Sequence, residues 1–302
     1  MSTFIEPSAN ANTISNRKAG RLIFNQAFNA LKRDTRVLLV PLIALLVNIV
    51  FLVGFIISWI LLIPAMNIYN ATNTVDFVLG ALLYLAFACT QVFSQAILMS
   101  AANDIFEGKP ADLSAAVRKA FSRFGSLFLF AVLEATVGLI LRAITERLQG
   151  IAGALVRFIA GMAWSVASYF AIPGILFDGL SPFKSIGESG RLIKAKWGTA
   201  MRVNVAAGAL LALAIFASFG SIMGGLFVFA NANSGVENTI VWPMGSTLLV
   251  AFGILLLFVA IFVQGAVLAF LKVALFRFAK DQSSAGFEQN TLASGFKVKK
   301  QS

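Results

Sequence analysis

The chain has 302 residues, of which 59% are apolar and 12% charged, with a mean hydropathy of +0.86 and a formal net charge of +11. Soluble domains carry about twice that share of charge, so a soluble globular protein is excluded. The basic residues flank long apolar runs rather than forming a groove interleaved with aromatics, so the positive charge does not point to nucleic acid.

Histidine is absent and Cys89 is the sole cysteine, inside the apolar run Leu85-Ala-Phe-Ala-Cys89. Within one chain this removes transition-metal sites of imidazole or thiolate, Ser–His and Cys–His nucleophile pairs, and an internal disulfide. Cys89 reads as a small packing residue.

In chain order, residues 1–16 are polar, contain Glu6 and no basic residue, and lack the pattern of a signal peptide. They are expected to be a disordered tail. A membrane domain follows over 17–278, with a second disordered tail over 279–302. Crossing about 30 Å of hydrocarbon takes about 20 helical residues. Six runs reach that length, near 37–64, 77–101, 124–142, 151–178, 200–230 and 246–275.

A basic amphipathic stretch precedes each odd-numbered span. The first, Lys18 to Arg33, places Phe24, Phe28 and Leu31 on one helical face. The second, Asp112 to Arg123, does the same with Leu113, Val117, Ala120 and Phe121. The third, Phe183 to Trp197, carries Ile186, Leu192, Ile193 and Trp197. Such helices lie in the interface, with Lys and Arg among anionic headgroups. The fold class expected is an all-α, polytopic bundle of six transmembrane helices with short basic interfacial helices on the cytoplasmic side. Gly20-Arg-Leu-Ile23 and Gly190-Arg-Leu-Ile193 are identical, which hints at an internal repeat, although basic amphipathic sequence recurs cheaply.

Of 24 Lys and Arg residues, 21 fall in the two termini and the two even-numbered connections. Lys272, Arg277 and Lys280 are counted there with the segment after the sixth span. The loops 65–76 and 231–245 contain none. Retained cytoplasmic loops carry the excess of Lys and Arg, so both termini are expected in the cytoplasm of a multi-pass cell-membrane protein. Trp59 and Trp242 fall at the outer edge and Trp197 at the inner, where amphipathic rings anchor. The three exceptions, Arg142, Arg147 and Arg157, sit in one hairpin on the opposite side.

Ionisable groups near the bilayer centre cost about 2.5–3.5 kcal/mol, so each needs a reason. Glu134 lies about 15 Å along the third span, with Gln91 and Gln264 at a similar depth. They form a candidate polar site, either lining a substrate or proton path or hydrogen-bonding between helices to specify packing. Packing is favoured, because a transporter of charged solutes would show more ionisable residues in more helices. Arg142, Arg147 and Arg157 form a candidate anion or lipid site. Glu146, one turn from Arg142, could pair with it instead. Gly220-x-x-x-Gly224 has the spacing of close helix contacts, a weak pointer to a homo-oligomer among 24 glycines. Pro173 is expected to kink the fourth span. Walker A, His-Glu-x-x-His and Gly-x-Ser-x-Gly motifs are missing, and Lys272, near the inner edge, has no evident serine partner.

Leu31-Lys-Arg-Asp34 with Leu38-Leu-Val-Pro-Leu42, then Ala135-Thr-Val-Gly-Leu139, Leu141-Arg142 and Glu146-Arg147, form a recognisable series. It continues through Trp164-Ser165, Phe170, Pro173, Asp178-Gly-Leu180 and Lys196-Trp-Gly198. From about residue 18 to 275 the chain resembles an uncharacterised family of bacterial and archaeal integral membrane proteins. The resemblance implies a six-span fold and transfers no catalytic, cofactor or ligand-binding residue.

The functional expectation is a non-enzymatic structural or partner- and lipid-interacting membrane component without cofactor. The alternative is a small transporter or lipid-handling protein with a path near Glu134. With Cys89 removed, a cysteine placed at Val236 should be labelled by an impermeant reagent from outside the cell and spared from the cytoplasmic side. The reverse pattern would refute the topology.

Overall fold

The computed structural model describes residues 25, 27–65, 72–146, 148, 151–233 and 242–280. After helical residues 27–33, Asp34 caps a 3-10 turn, Thr35–Leu38, by accepting the Arg36 N–H at 3.1 Å. Eight helices follow among the described residues: α1 (Leu39–Ala65), α2 (Thr72–Phe106), α3 (Leu113–Ser122), α4 (Phe124–Glu146), α5 (Ile151–Ala167), α6 (Ala171–Phe177), α7 (Pro182–Asn233) and α8 (Met244–Ala279). No strand occurs among these residues.

Six segments are long and apolar enough to cross a membrane: Thr35–Leu61, Phe77–Phe106, Phe124–Thr145, Gly153–Phe177, Ala212–Asn233 and Met244–Ala279. The chain is an all-α, six-span bundle. Its outward faces carry dozens of exposed apolar side chains, such as Ile43, Phe158, Phe216 and Leu255. That is the pattern of a surface whose solvent is lipid.

The core sits in the half where the basic residues gather. Val92, Leu98, Met99 and Phe106 of α2 pack on Leu127 and Phe130 of α4, Ile175 of α6, and Phe270, Leu271 and Leu275 of α8. Phe106 meets Phe270 edge to face at 5.8 Å. At the end of this half Arg277 of α8 reaches Asn103 (2.7 Å) and Glu107 (3.4 Å), and Lys280 pairs with Asp178. Hydrogen bonds from Lys109 and Asn103 hold the Glu107 carboxyl below the usual range. Gly108 (φ 78°) ends α2: its N–H meets Ile105 O and the Lys109 N–H meets Asp104 O, a Schellman closure that a left-handed residue makes possible.

The basic amphipathic stretches pack onto this end rather than lying only against headgroups. Ala27, Ala30 and Leu31, Ala116 and Ala120 of α3, and Ile193 of α7 are buried in the same core. Small alanines do the docking, whereas Val117 and Phe121 of the same apolar stretch are 39% and 56% exposed. The third stretch is not a separate helix. It is the opening of the 52-residue α7, which runs without interruption into the fifth span. Lys272, whose charge is counted with the segment after the sixth span, lies inside that span, as the bounds 246–275 imply, and α8 continues through it to Ala279.

In the other half α7 and α8 form a tight antiparallel pair. A Cβ on Gly225 would meet Ser246 O at 2.9 Å, and one on Gly253 would meet Ser218 O at 2.8 Å. Ser221 Oγ donates to Leu249 O at 2.7 Å across the seam. Gly220 and Gly224 of the small-residue spacing have nothing within 4 Å and lie off it. Gly253→Val should therefore destabilise the detergent-solubilised protein by about 1–3 kcal/mol through overpacking, while Gly220→Val leaves the melting temperature unchanged. Equal losses would show that the seam is misplaced.

Candidate functional site

Hydrocarbon offers a broken helix no hydrogen bonds, so the interruption between α5 and α6 must be satisfied from within. Pro173 is the third residue of α6, a first-turn position where its missing N–H costs nothing. The fourth span is thus broken at 168–170, rather than kinked at the proline. α7 supplies the missing partners. The Phe170 N–H donates to Ser189 Oγ at 2.9 Å, and Ser185 Oγ donates to Ala171 O at 2.6 Å. Both serines are buried, and Gly174 leaves the room that Ser185 occupies.

The break positions Tyr169. Lys272 of α8 places its ammonium 5.4 Å from the centre of that ring, a cation–π distance. Glu134 of α4 lies within electrostatic range of Lys272. Counted from the helix ends, the three residues lie about 10–15 Å inside the basic end. Tyr169 is buried, and Glu134 and Lys272 are partly buried. An acidic, a basic and a phenol side chain, from three separate chain segments, thus share one layer of the membrane half that holds the core.

A second polar region lies between α1 and α8, floored by α2. Asn48 from α1 and Gln91, Ser94 and Gln95 from α2 line a cleft of about 220 Å³, walled on the α8 side by Phe258 and Phe262. Gln95 Nε2 makes a long contact, 3.5 Å, to Gly265 O. Asn48 Oδ1 and Gln95 Oε1 are buried without a partner. Gln91 therefore belongs to this cleft and Glu134 to the Lys272 layer. Gln264 precedes Gly265 on α8 and is partly buried.

In the Arg-rich hairpin one arginine bonds a hydroxyl across the two helices. Arg157 of α5 donates from Nε (3.1 Å) and Nη2 (2.7 Å) to Thr145 Oγ1 of α4. Arg142 is exposed on α4. Arg147 and the Glu146 side chain lie outside the described residues.

A second concavity, larger than the α1–α8 cleft, is apolar. A groove of about 670 Å³ runs between α1, α2, α3 and the start of α4, with Phe93, Phe121, Phe124 and Phe128 along it. Phe121, Phe124 and Phe128 stack in succession at 6.3 and 5.8 Å. Arg118 follows the lining residue Val117, and Arg36 lies one turn before Leu39, both exposed at the basic end.

The family of unknown function DUF6159 matches residues 74–287. The chain belongs to this family. The match covers all the residues described above except the first span and its approach, so Asn48, Arg36 and the α1 wall of both concavities lie outside it. No curated protein and no solved structure matches the chain. Among the described residues no cluster of His, Cys, Asp and Glu could hold a metal ion.

Sequence reasoning singled out Glu134 and Gln91 but missed Lys272, Tyr169, Asn48 and Gln95. Each had a signal. Lys272 is flanked by Phe270-Leu271 and Val273-Ala274, and Asn48 lies mid-run in the first span. If Glu134 and Lys272 sense each other, Glu134→Gln and Lys272→Met should each lower stability, and the double variant should lose less than their sum by at least about 0.5 kcal/mol. Strict additivity in detergent melting would separate the two charges.

Proposed function

We propose that this DUF6159 chain is a non-enzymatic, lipid-interacting component of the cell membrane that seats an acyl chain of an anionic glycerophospholipid, with both termini on the cytoplasmic side. The observation that carries the reading is the apolar groove, with exposed Arg36 and Arg118 close in sequence to residues that line it. It follows α2 from Leu82 to Ile97, about 22 Å at helical rise and longer than one leaflet of a 30 Å core. Flat helix surfaces contact annular lipid too, but a concavity walled by four helices surrounds a chain on several sides and gains more dispersion contacts. Arg36 and Arg118 stand where a phosphate would sit, and Arg suits bidentate phosphate contact.

A second reading, transport along a path at Glu134, is supported by the Glu134–Lys272–Tyr169 layer. Ionisable groups at that depth are costly and often functional. The lipid reading is preferred because the groove is lined by exposed apolar side chains such as Ile43, Leu82 and Phe121, whereas the Glu134–Lys272–Tyr169 layer is set among the core helices.

Native mass spectrometry of the purified chain should retain phosphatidylglycerol over phosphatidylcholine. Arg36→Gln with Arg118→Gln should reduce that retention at least fivefold, and Val117→Trp, which fills the groove, should reduce it too. Retention unchanged in both variants would sink the proposal, whereas loss after Arg142→Ala with Arg157→Ala alone would move the lipid to the opposite leaflet.

A further inference from the structure

The cleft between α1 and α8 adjoins the acyl groove across the α1–α2 contact: the two share Ala44 and Ser94, whereas Asn48, Gln91 and Gln95 line the cleft alone. Its chemistry is unusual for its place. Asn48 lies about 14 Å from the basic end of α1 and Gln95 about 17 Å from that of α2, close to the middle of a 30 Å hydrocarbon layer. Two buried amide oxygens there have no partner. Buried polar atoms are normally satisfied, and one left open inside a membrane points to something that completes it.

Three observations define that something. No ionisable residue lines the cleft, so an ion would enter without a counter-charge. A neutral molecule fits. The two open atoms, Asn48 Oδ1 and Gln95 Oε1, are both acceptors. The Gln95 amide is oriented by its Nε2 contact to Gly265 O, because a carbonyl can only accept. The molecule must therefore donate. The α8 wall carries Phe258 and Phe262, stacked at 6.4 Å, which offers ring faces beside the amide floor. At mid-membrane depth, with helices α1 and α8 as side walls, entry is from the lipid.

We propose that the α1–α8 cleft binds a neutral, membrane-soluble molecule through hydroxyl donors, with an isoprenoid hydroquinone as the best fit and a diacylglycerol as the other source of the same chemistry. The hydroxyls donate to Asn48 Oδ1 and Gln95 Oε1, Ser94 and Gln91 supply the remaining polar edge, and the ring lies against Phe258 and Phe262. At about 30 Å³ per water, the cleft of about 220 Å³ exceeds what one or two bridging waters fill.

The test uses the full chain in phosphatidylcholine nanodiscs. Three radiolabelled probes are titrated: a short-chain prenyl hydroquinone kept reduced, its dimethyl ether, and a dioctanoylglycerol. The hydroquinone should bind saturably, and the ether, which has lost both donors, at least tenfold more weakly. Asn48→Leu and Gln95→Leu should each weaken the hydroquinone at least tenfold. The ether comparison decides the matter even where a variant folds poorly. Saturable binding of dioctanoylglycerol with none of the hydroquinone keeps the hydroxyl-donor site and assigns it to a glycerolipid. The proposal is overturned if the ether binds as well as the hydroquinone, if both leucine variants bind normally, or if no probe saturates, in which case water alone fills the cleft. The anionic-lipid assay at Arg36 and Arg118 reads the other groove, so either result can fail without the other.

Discussion

In hydrocarbon an unpaired backbone N–H or C=O has nowhere to turn, and the structure depends on how one interruption meets that constraint. The fourth span is cut at 168–170, and the freed groups are closed by Ser185 and Ser189 of α7. Those two hydroxyls tie the start of α7 to the break, and the break in turn places Tyr169 over Lys272 and Phe170 against Phe276 at 5.9 Å. Serine is suited to this because it donates and accepts with a side chain small enough to pass between helices. Unsatisfied groups there would cost more than the break could bear.

Around that point the bundle is unequal along its length. The half holding the basic residues is a packed core in which α2, α4, α6 and α8 share large aromatics, closed at the end by Arg277, Asn103 and Glu107. Toward the other end α7 and α8 approach closely, through Gly225 and Gly253. α1 stands apart, exposed along most of its length, and its looseness leaves a concavity on each side. One is apolar and opens beside arginines. The other is neutral, polar and deep. A weakly packed helix between two cavities is where a membrane protein can exchange protein contacts for ligand contacts at little cost.

The separation of polar groups also has a physical basis. Glu134 and Lys272 share a layer of the packed half, whereas the cleft holding the amides of Asn48, Gln91 and Gln95 is lined by no ionisable residue. Mixing them in one layer would expose an ion to the looser, lipid-open cleft. Arg157 avoids the same penalty by bonding Thr145 near the opposite end, within reach of the interface.

By itself, the sequence determined the class of the molecule. Length and hydropathy alone set six spans, because a helix that crosses hydrocarbon must be about 20 residues long and apolar. The intramembrane Glu134 and Gln91 were legible for the same reason: a polar residue in such a run stands out. Partners were not legible, since helix–helix packing in lipid has no hydrophobic pattern to read, both faces of each helix being apolar. Only the tertiary structure decided that Glu134 answers Lys272, that Gln91 joins Asn48 and Gln95, and that Gly225 rather than Gly220 forms the seam. It also decided that the third basic stretch continues into a span as α7, because its serines are needed at the break.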